Sequence, residues 1–245
     1  SVVVPAYQEA GVIGDCVRAL ADQTIARSDF EIIVVDDASA DRTMDAARDA
    51  GADEVLCIEH GGPAAARNAG LARARGDLVL FTDADCAPSS DWIARMVAPF
   101  SDSAVVGTKG TYRTRQRSLI ARLVQLEFEI RYERMAKLPK TDFIDTYAAC
   151  YRRELLVSEG GFSVDYVVAS AEDLDLSFRL AQKGHDMIFV PDAWVWHTHP
   201  DSLYSYLKRK ARFGYWRALL YMRYPNKIAG DAHTDPSLKI QFALV

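Results

Sequence analysis

Short apolar segments alternate with amphipathic segments through the first hundred residues. The apolar segments are typical of strands buried on both faces, because apolar residues follow one another without alternation. They cover residues 2–4, 31–35, 54–58, 78–81 and 104–107. Between them, helical periodicity covers residues 13–21, 43–50, 64–74 and 92–98. This order predicts right-handed βαβ units and an α/β fold whose central sheet is mainly parallel and flanked by helices.

The pattern changes at Thr108. Residues 115–138 form a long amphipathic segment in which apolar residues recur at helical spacing, at Leu119, Leu123, Leu126 and Ile130. A helix packed across the sheet and a helix with a functional role are both compatible with this spacing. Further along, the sequence predicts a helix at 170–183 and strands at 143–151, 187–190 and 194–197.

Composition excludes several classes of protein. The 245 residues are 49% hydrophobic and 26% charged, which is ordinary for a globular protein with a substantial core. The net charge of -5 gives no reason to expect nucleic acid as a partner. The four cysteines are widely scattered without a Cys-x-x-Cys pair, which argues against a zinc ribbon or a disulfide scaffold.

Acidic residues follow three of the predicted strands. Glu9 comes after the first, Asp36 and Asp37 after the second, and Asp83 and Asp85 after the fourth. The carboxyl ends of parallel strands share one edge of the sheet, where ligands bind in open α/β folds. Residues two apart in an extended segment project to the same side. Asp83 and Asp85 can therefore converge on one cation, although such a pair is also found in solvated loops.

The familiar phosphate-binding loops are missing from the sequence. No Gly-x-Gly-x-x-Gly follows the first strand, which disfavours a nicotinamide or flavin site, and no Gly-x-x-x-x-Gly-Lys-Ser/Thr loop occurs. Nucleotide phosphates would then be held by something other than backbone amides. A carboxylate-bound Mg²⁺ or Mn²⁺ would serve.

Five motifs occur in a recognisable order. They are Val-Val-Val-Pro-Ala-Tyr-Gln-Glu at 2–9, Val-Val-Asp-Asp-Ala-Ser at 34–39, Gly-Pro-Ala-Ala-Ala-Arg-Asn-Ala-Gly at 62–70, Asp-Ala-Asp at 83–85 and Glu-Asp-Leu-Asp-Leu-Ser-Phe-Arg-Leu at 172–180. With this order and approximate spacing over residues 1 to about 200, the chain resembles family 2 glycosyltransferases of the GT-A fold. The resemblance implies a Rossmann-like domain that transfers a sugar from a nucleoside diphosphate, with inversion at the anomeric carbon.

The resemblance also assigns residues to the nucleotide and the metal. The residues expected to border the nucleotide are Pro5, Ala6, Tyr7, Glu9, Asp37, Arg67, Asp83 and Ala84. Among these, Asp37 would meet the base and Arg67 would lie near the base or the phosphates. Considered without the resemblance, Arg67 is an ordinary helix-surface arginine. Asp83 would be shared between ribose and metal, while Asp85 would ligate the metal that bridges the diphosphate.

Glu172 and Asp173 carry the expected mechanism. In similar inverting transferases this aspartate is the general base, which takes the proton of the acceptor hydroxyl as it attacks the anomeric carbon. We therefore expect Asp173 to be the base and Glu172 to help bind the acceptor or the sugar. The alternative is a capping box that begins at Ser170, in which Asp173 only caps a helix. Asp175 and Arg179, spaced i and i+4, are expected to form a surface ion pair.

A pair of histidines closes the last predicted strand. Some GT-A enzymes complete the metal shell with a late histidine, so the resemblance favours His197 as the third ligand, with His199 as its substitute. Two carboxylates and one imidazole suit Mn²⁺ or Mg²⁺.

The segment that follows is basic and aromatic. Between Leu203 and Tyr224 the chain carries six basic residues and no acid, interleaved with Tyr, Trp and Phe. A helix of this composition suits an anionic lipid surface. A helix that closes the acceptor side of the site, with arginines facing phosphates, and a nucleic-acid patch are the alternatives.

We therefore expect a GT-A domain at 1–200 and a helical extension at 201–245. Within the domain, 1–107 would be the nucleotide-binding half and 108–200 the acceptor and catalytic half. Both ends of the chain look truncated, because Ser1 leads straight into a core strand and 240–245 is an unfinished apolar run. The acceptor would be lipid-linked or a cell-surface glycan, and the enzyme would work at the cytoplasmic face of the membrane. A sugar nucleotidyltransferase and an inactive sugar-nucleotide-binding subunit are the competing functions.

Overall fold

The computed structural model describes residues 1–166 and 171–227, in which an eight-stranded mixed sheet carries helices on both faces. The strands are β1 (Val2–Ala6), β2 (Ile32–Asp36), β3 (Glu54–Cys57), β4 (Leu78–Phe81), β5 (Ala87–Pro88), β6 (Val105–Arg113), β7 (Ala149–Arg152) and β8 (Asp186–Trp196). The helices are α1 (Ile13–Ala21), α2 (Thr43–Asp49), α3 (Gly62–Arg73), α4 (Trp92–Val97), α5 (Leu119–Met135), α6 (Arg153–Ser158), α7 (Glu172–Gln182) and α8 (Leu203–Arg223). The predicted α/β class is confirmed.

The strands follow the order β3-β2-β1-β4-β7-β6-β8-β5. The first four in this order pair in parallel, as the βαβ units require. Strand β7 then runs antiparallel to both of its neighbours, while β6 and β8 are parallel to each other. The carboxyl ends of β1, β2 and β4 therefore share one edge, and their acidic residues emerge there.

Side chains of the inner strands alternate between two cores. Val2 and Val4 belong to the core on one face of the sheet, and Val3 belongs to the core on the other. Gly70 shows how closely α3 packs on this second face, since an added Cβ there would lie 2.3 Å from Cγ1 of Val3. This close packing fixes α3, and with it Arg67, against the sheet.

The predicted elements of the second half need correction. Strand β6 runs on to Arg113 instead of ending at 107, and β8 is one strand where the sequence predicts two. The predicted strand at 143–151 is wrong over its first half, which forms an irregular segment and a short turn of 3₁₀ helix before β7. The sequence underestimates the length of these buried strands because they contain polar residues. Lys109, for example, is buried on β6 because it is paired with Asp145.

Helix α5 does not pack through the residues that the leucine spacing indicates. Leu119, Leu123, Leu126 and Ile130 are all exposed, by 42% to 83%. The buried side chains of α5 are instead Ala121, Val124, Gln125, Phe128 and Met135. The four apolar residues of the exposed row, Leu119, Leu123, Leu126 and Ile130, are called the α5 stripe below.

The predicted C-terminal amphipathic helix is confirmed and corresponds to α8. Its Leu220 packs with Phe143, Leu174 and Phe178, which ties α8 to α7. Within the described part of the chain, none of the helices combines the length and the apolar character that crossing a bilayer requires. Ser170, with which the predicted capping box begins, and the apolar run 240–245 lie outside the described residues.

Candidate active site

The two carboxylates after β4 face one side, as their spacing predicts. Ligand atoms of Asp83, Asp85 and Cys86 all lie within 4.8 Å of one another. Cys86 is an addition that the sequence analysis did not consider. Burial raises the pKa of its thiol well above the ordinary value, so the sulfur stays protonated and is a poor ligand for a hard cation. The carboxylates of Asp83 and Asp85 are the oxygen donors suited to Mg²⁺ or Mn²⁺.

His197 brings a nitrogen to the same place. It follows β8, and its Nε2 lies 3.2 Å from Oδ2 of Asp85. Burial alone would raise the pKa of Asp85, but the hydrogen bond and charge of His197 leave it below the ordinary value. The Asp85 carboxylate is therefore ionised at neutral pH.

His199 does not share this position. It is 2% exposed, stacks on Phe128 and lies with its Nδ1 3.1 Å from Nδ1 of His197. Burial, followed by the neighbouring His197, lowers the pKa of His199 to about 3, so its ring is neutral. His199 is therefore a hydrogen-bond partner of His197, and it is His197 that contacts Asp85.

A hydrogen-bond chain sets the tautomer of His197. Nε2 of Gln125 donates to the carbonyl of Tyr112 at 3.1 Å, which leaves Oε1 of Gln125 to accept from Nε2 of His199 at 2.9 Å. Nδ1 of the neutral His199 is then an acceptor, and Nδ1 of His197 must donate to it. In neutral His197 the Nε2 lone pair therefore faces Asp85. The position between this nitrogen and Asp85 suits a cation, either the proton of a charged His197, whose hydrogen bond and charge lower the pKa of Asp85, or a metal ion in its place.

Arg67 joins the metal-side carboxylates to the predicted catalytic pair. Its guanidinium donates to Oε1 of Glu172 at 2.7 Å and to Oδ1 of Asp83 at 3.1 Å. Arg67 is 3% exposed and Glu172 2%, so the interpretation of Arg67 as a helix-surface arginine is wrong. Burial raises the pKa of Asp83 while Arg67 opposes that rise.

Asp173 lies beside this ion pair and opens to the cavity. Helix α7 begins at Glu172 with Ala171 as its N-cap, and no side chain of the described residues caps it, so Asp173 is at N2 and not at the N3 position of the predicted capping box. Among the described residues, the Asp173 carboxylate accepts a local hydrogen bond from the backbone N–H of Leu174, at 2.8 Å. Burial first, and then the charge of Glu172, raise the pKa of Asp173 to about 7.

Two further corrections concern buried ion pairs. Asp175 and Arg179 do pair at 2.9 Å, but Asp175 is 1% exposed and also accepts from the hydroxyl of Tyr224. The predicted surface pair is therefore largely buried, and the bond from Tyr224 to Asp175 ties α7 to the end of α8. Lys109, which the sequence analysis missed, is fully buried on β6 and pairs with Asp145. Burial lowers its pKa, and the charge of Asp173 opposes this.

Of the predicted nucleotide residues, those that follow β1 and β2 form a separate group from Arg67, Asp83 and Ala84. The Asp37 carboxylate accepts from the backbone N–H groups of Gly61 and Gly62 at 2.7 and 2.9 Å. His60, which the sequence analysis missed, lies 3.0 Å from the same carboxylate and 4.7 Å from the ring of Tyr7.

The turns that carry this group are strained. Gln8 and Ala38 have positive φ although neither is glycine, a conformation that costs about 1–3 kcal/mol. Pro5 and Ala6 end β1 directly before the first turn. Burial, followed by the charges of Asp85, Asp41 and Asp83, raises the pKa of Glu9.

A cavity of about 350 Å³ connects the candidate metal ligands with the predicted catalytic pair. Asp83, Asp85, Glu172, Asp173 and His197 all line it. So do four of the six basic residues that the sequence analysis noted between Leu203 and Tyr224, namely Arg209, Lys210, Arg212 and Arg217. Helix α8 thus closes one side of the site and turns much of its positive charge inward.

Sequence comparison decides the family. The profile described as "Glycosyl transferase family 2" matches residues 1–158, which contain β1 to β7 and the Asp83-Ala84-Asp85 motif. The chain belongs to glycosyl transferase family 2.

Relatives of this glycosyltransferase agree with the assignment. It is 32% identical over 241 residues to "Pre-mycofactocin glycosyltransferase" of Mycobacterium tuberculosis (strain ATCC 25618 / H37Rv), a match that covers 94% of this chain and 49% of that protein. It is 27% identical over 228 residues to "Glycosyltransferase AglE" of Haloferax volcanii, covering 91% of this chain and 74% of that one. The chain thus spans about half the length of the mycobacterial relative.

Solved structures share the fold. The mannosyltransferase PcManGT from Pyrobaculum calidifontis, in complex with GDP-Man and Mn²⁺, matches with a TM-score of 0.65 and 26% identity. That match covers 88% of this chain and 59% of the mannosyltransferase chain. The glycosyltransferase fold of this chain, a GT-A fold as the sequence predicts, is thereby confirmed.

The buried position of Arg67 predicts a large effect on stability. In Arg67→Met, Glu172 stays buried without its cation, and we expect the free energy of unfolding to fall by about 3–5 kcal/mol in urea denaturation. Arg73→Met on the same helix is the matched control, because its ion pair with Glu54 is exposed and contributes about 0–1 kcal/mol. Equal losses in the two variants would contradict the bridging role of Arg67.

Proposed function

We propose that this family 2 glycosyltransferase is a metal-dependent inverting enzyme that moves a hexosyl group from a nucleoside diphosphate sugar to an acceptor hydroxyl. The observation that carries the proposal is the convergence of Asp83, Asp85 and His197 with Glu172 and Asp173 around one cavity. The relatedness to a mannosyltransferase solved with GDP-Man and Mn²⁺ supports a nucleotide-sugar donor and a divalent metal.

Each group of residues would have its own task in the transfer. Tyr7, His60 and Asp37 would hold the nucleoside, with Pro5, Ala6, Glu9 and Ala84 shaping that end of the site. Asp83, Asp85 and His197 would hold Mg²⁺ or Mn²⁺, and when bound that ion neutralises charge on the diphosphate. Arg67 would keep Asp83 and Glu172 in place, and Glu172 would help to position the acceptor or the sugar.

The chemical step would consist of one bond formed and one broken. The acceptor oxygen attacks the anomeric carbon, the bond from that carbon to the diphosphate breaks, and the nucleoside diphosphate leaves with the electron pair. Asp173 takes the proton of the acceptor hydroxyl. Its carboxylate is suited to this task because it opens to the cavity and its pKa is raised to about 7, near the working pH of a general base.

Removing a metal ligand tests the enzyme class. Wild-type protein should release nucleoside diphosphate from a UDP- or GDP-sugar only when Mn²⁺ or Mg²⁺ is present, and Asp85→Asn should lower that rate by about 10² or more. Asp91→Asn, which removes an exposed acid six residues away, is the control. Tight donor binding without turnover would support the inactive subunit instead. Release of pyrophosphate from a sugar phosphate and a nucleoside triphosphate would support the nucleotidyltransferase.

The general base gives the rate a pH dependence. Asp173 acts only when ionised, and its pKa is raised, so turnover should rise with pH through about 7 and then level off. The charged groups that face it are Glu172 on α7, Arg67 on α3 and Lys109 on β6. Asp173→Asn should keep donor affinity in a thermal-shift titration while turnover falls by about 10² or more. Unchanged turnover in Asp173→Asn would remove the base from the proposal.

We further propose that the outer surface of α8 and the neighbouring α5 stripe rest on an anionic membrane, which would suit a lipid-linked acceptor. Helix α8 exposes Leu203, Tyr204, Leu207, Tyr215 and Met222, by 54% to 79%. The two helices are joined through Glu127 of α5, which accepts from Tyr206 and Lys210 of α8 at 2.6 Å each. Apolar and aromatic side chains beside exposed basic ones suit the headgroup layer, here on the cytoplasmic leaflet.

Vesicle flotation tests the membrane surface. Wild-type protein should float with vesicles of phosphatidylglycerol and phosphatidylcholine, and more weakly as salt rises. Leu207→Gln with Met222→Gln should weaken this binding by about tenfold or more, because two apolar side chains lose their burial in lipid. Val157→Gln, which alters an apolar residue 54% exposed on α6, is the control. Absence of salt-sensitive binding in the wild type would contradict the proposal.

A further inference from the structure

Within the described part of the chain, five carboxylates line the cavity, those of Asp83, Asp85, Asp145, Glu172 and Asp173. The proposed function gives the first two to the metal. It gives the last two to binding of the acceptor or the sugar and to proton transfer. Asp145, in the segment that precedes β7, is the carboxylate of this set without a task.

Asp145 is anchored from behind by Lys109 of β6. Lys109 is fully buried and pairs with Oδ2 of Asp145. Its ammonium also lies 4.7 Å from the ring centroid of Phe143 and 5.2 Å from that of Tyr147, so residues on both sides of Asp145 enclose it. The Asp145 side chain is 15% exposed, and no hydrogen bond from a described residue reaches its Oδ1. One oxygen is thus held inside the protein while the side chain still lines the cavity.

On one side, the segment that carries Asp145 is bound to the end of β4. Strands β4 and β7 are antiparallel, so the chain that follows β4 and the chain that precedes β7 leave the sheet at the same edge. There, Oγ1 of Thr82 donates to the backbone carbonyl of Tyr147 at 2.9 Å. Asp145 comes two residues before Tyr147, and the candidate metal ligands Asp83 and Asp85 directly follow Thr82.

On its other side, the same segment is bound to α7. The backbone N–H of Ile144 donates to Oγ of Ser177 at 3.0 Å, and that hydroxyl donates to the backbone carbonyl of Asp173 at 2.7 Å. The neighbour of Asp145 is therefore joined through one side chain to the residue that carries the predicted base. Asp145 is held between the end of β4 and the first turns of α7, and it lines the cavity that connects them.

The transferred sugar is the group expected between these two ends. In an inverting transfer the acceptor oxygen attacks from the side opposite the diphosphate, so the sugar lies between the metal-bound diphosphate and the base. Sugar hydroxyl groups are hydrogen-bond donors, and a carboxylate accepts them in charge-assisted bonds. A phosphate group would meet the like charge of Asp145 first, because Lys109 does not line the cavity.

We propose that Asp145 binds a hydroxyl group of the donor's sugar, and that Lys109 is the positioning residue that holds its carboxylate in place. A carboxylate already fixed by an ion pair has less freedom to lose when the sugar binds. A sugar without a hydroxyl at this position leaves the carboxylate unpaired, which selects against it. The proposal rests on the proposed function, because it names a sugar-binding residue of the same site.

Isothermal titration calorimetry tests the proposal. Full-length chain with Mn²⁺ is titrated with UDP-glucose, UDP-N-acetylglucosamine and GDP-mannose, and with free UDP and GDP. For the nucleotide sugar bound most tightly, Asp145→Ala should raise the Kd by about tenfold or more, because a charge-assisted hydrogen bond is lost. The Kd of the matching free nucleoside diphosphate should stay within about twofold. Asp145→Asn, which keeps a neutral acceptor, should fall between Asp145→Ala and the wild type.

Two further variants control this comparison. Asp142→Asn changes a nearby acid that pairs with Lys227 and is not part of the cavity wall, so it should leave both Kd values unchanged. Asp145→Ala leaves Lys109 buried without its partner, which can prevent folding. Lys109→Met combined with Asp145→Ala removes both members of the pair, and it should show the same selective loss of nucleotide-sugar binding.

Three results would overturn the proposal. Nucleotide-sugar binding that is equal in wild type and Asp145→Ala would reduce Asp145 to the partner of Lys109, or assign it to the acceptor if the acceptor KM rises. Equal weakening of the nucleotide sugar and the free nucleoside diphosphate would show that Asp145 acts through the fold. A wild type that binds no nucleotide sugar would leave no sugar for Asp145 to bind.

Donor hydrolysis separates this proposal from the proposed function. Metal-dependent release of nucleoside diphosphate by the wild type reports on the transferase reaction alone. Such release, with nucleotide-sugar affinity unchanged in Asp145→Ala, would support the transferase and reject the role of Asp145. Selective loss of nucleotide-sugar affinity in Asp145→Ala, without turnover by the wild type, would support the role of Asp145 and reject the reaction.

Discussion

The buried guanidinium of Arg67 is the interaction on which the candidate active site depends. It bonds Glu172, which is 105 residues away in the chain, and Asp83, which follows β4. Three elements of the fold, α3, β4 and α7, are thereby fixed relative to one another by one side chain. A buried ion pair of this kind is weak as a source of stability but strong as a constraint on geometry, because leaving either partner alone in the interior is costly. This constraint also sets the position of the predicted catalytic pair, Glu172 and Asp173.

The metal side is organised by a second, neutral network. Gln125 on α5 fixes the proton on Nε2 of His199, and His199 in turn fixes the proton on Nδ1 of His197. This leaves the nitrogen beside Asp85 without a proton when the ring is neutral. The buried face of α5 therefore does more than pack. Its polar residue, Gln125, orients the predicted ligand His197 through His199.

The sequence predicted the first half of the fold well and the second half poorly, for a physical reason. Apart from Asp36 at the end of β2, strands β1, β2 and β4 are apolar because both of their faces are covered, so hydrophobicity alone reveals them. Strand β6 contains Lys109, whose charge is compensated by Asp145, a residue that only the folded chain brings near. For α5 the helix was predicted correctly, but the face that it buries was not. Helical spacing identifies an apolar face but does not say whether protein or another phase covers it.

The site divides in the same way between what local patterns show and what they do not. Asp83 and Asp85 converge because of their spacing on an extended segment, and the motif order placed Glu172 and Asp173 with them. His60, Cys86 and Lys109 were not identified, because no local pattern marks them. The basic residues of α8 were noted, but the sequence left open whether they face the site or a membrane surface. Their positions follow from loop conformation, from a buried ion pair and from the docking of α8 through Leu220 and Tyr224.

The proposed mechanism depends most directly on the protonation state of the Asp173 carboxylate. This state can be measured by ¹³C NMR titration of the side-chain carboxyl carbon in wild-type protein, assigned with Asp173→Asn. We expect Asp173 to titrate near 7, because burial and Glu172 raise its pKa to about 7. Since Arg67 opposes that rise, Arg67→Met should move the titration to higher pH. A pKa near 4, the ordinary range of an exposed aspartate, that does not respond to Arg67→Met would contradict the account.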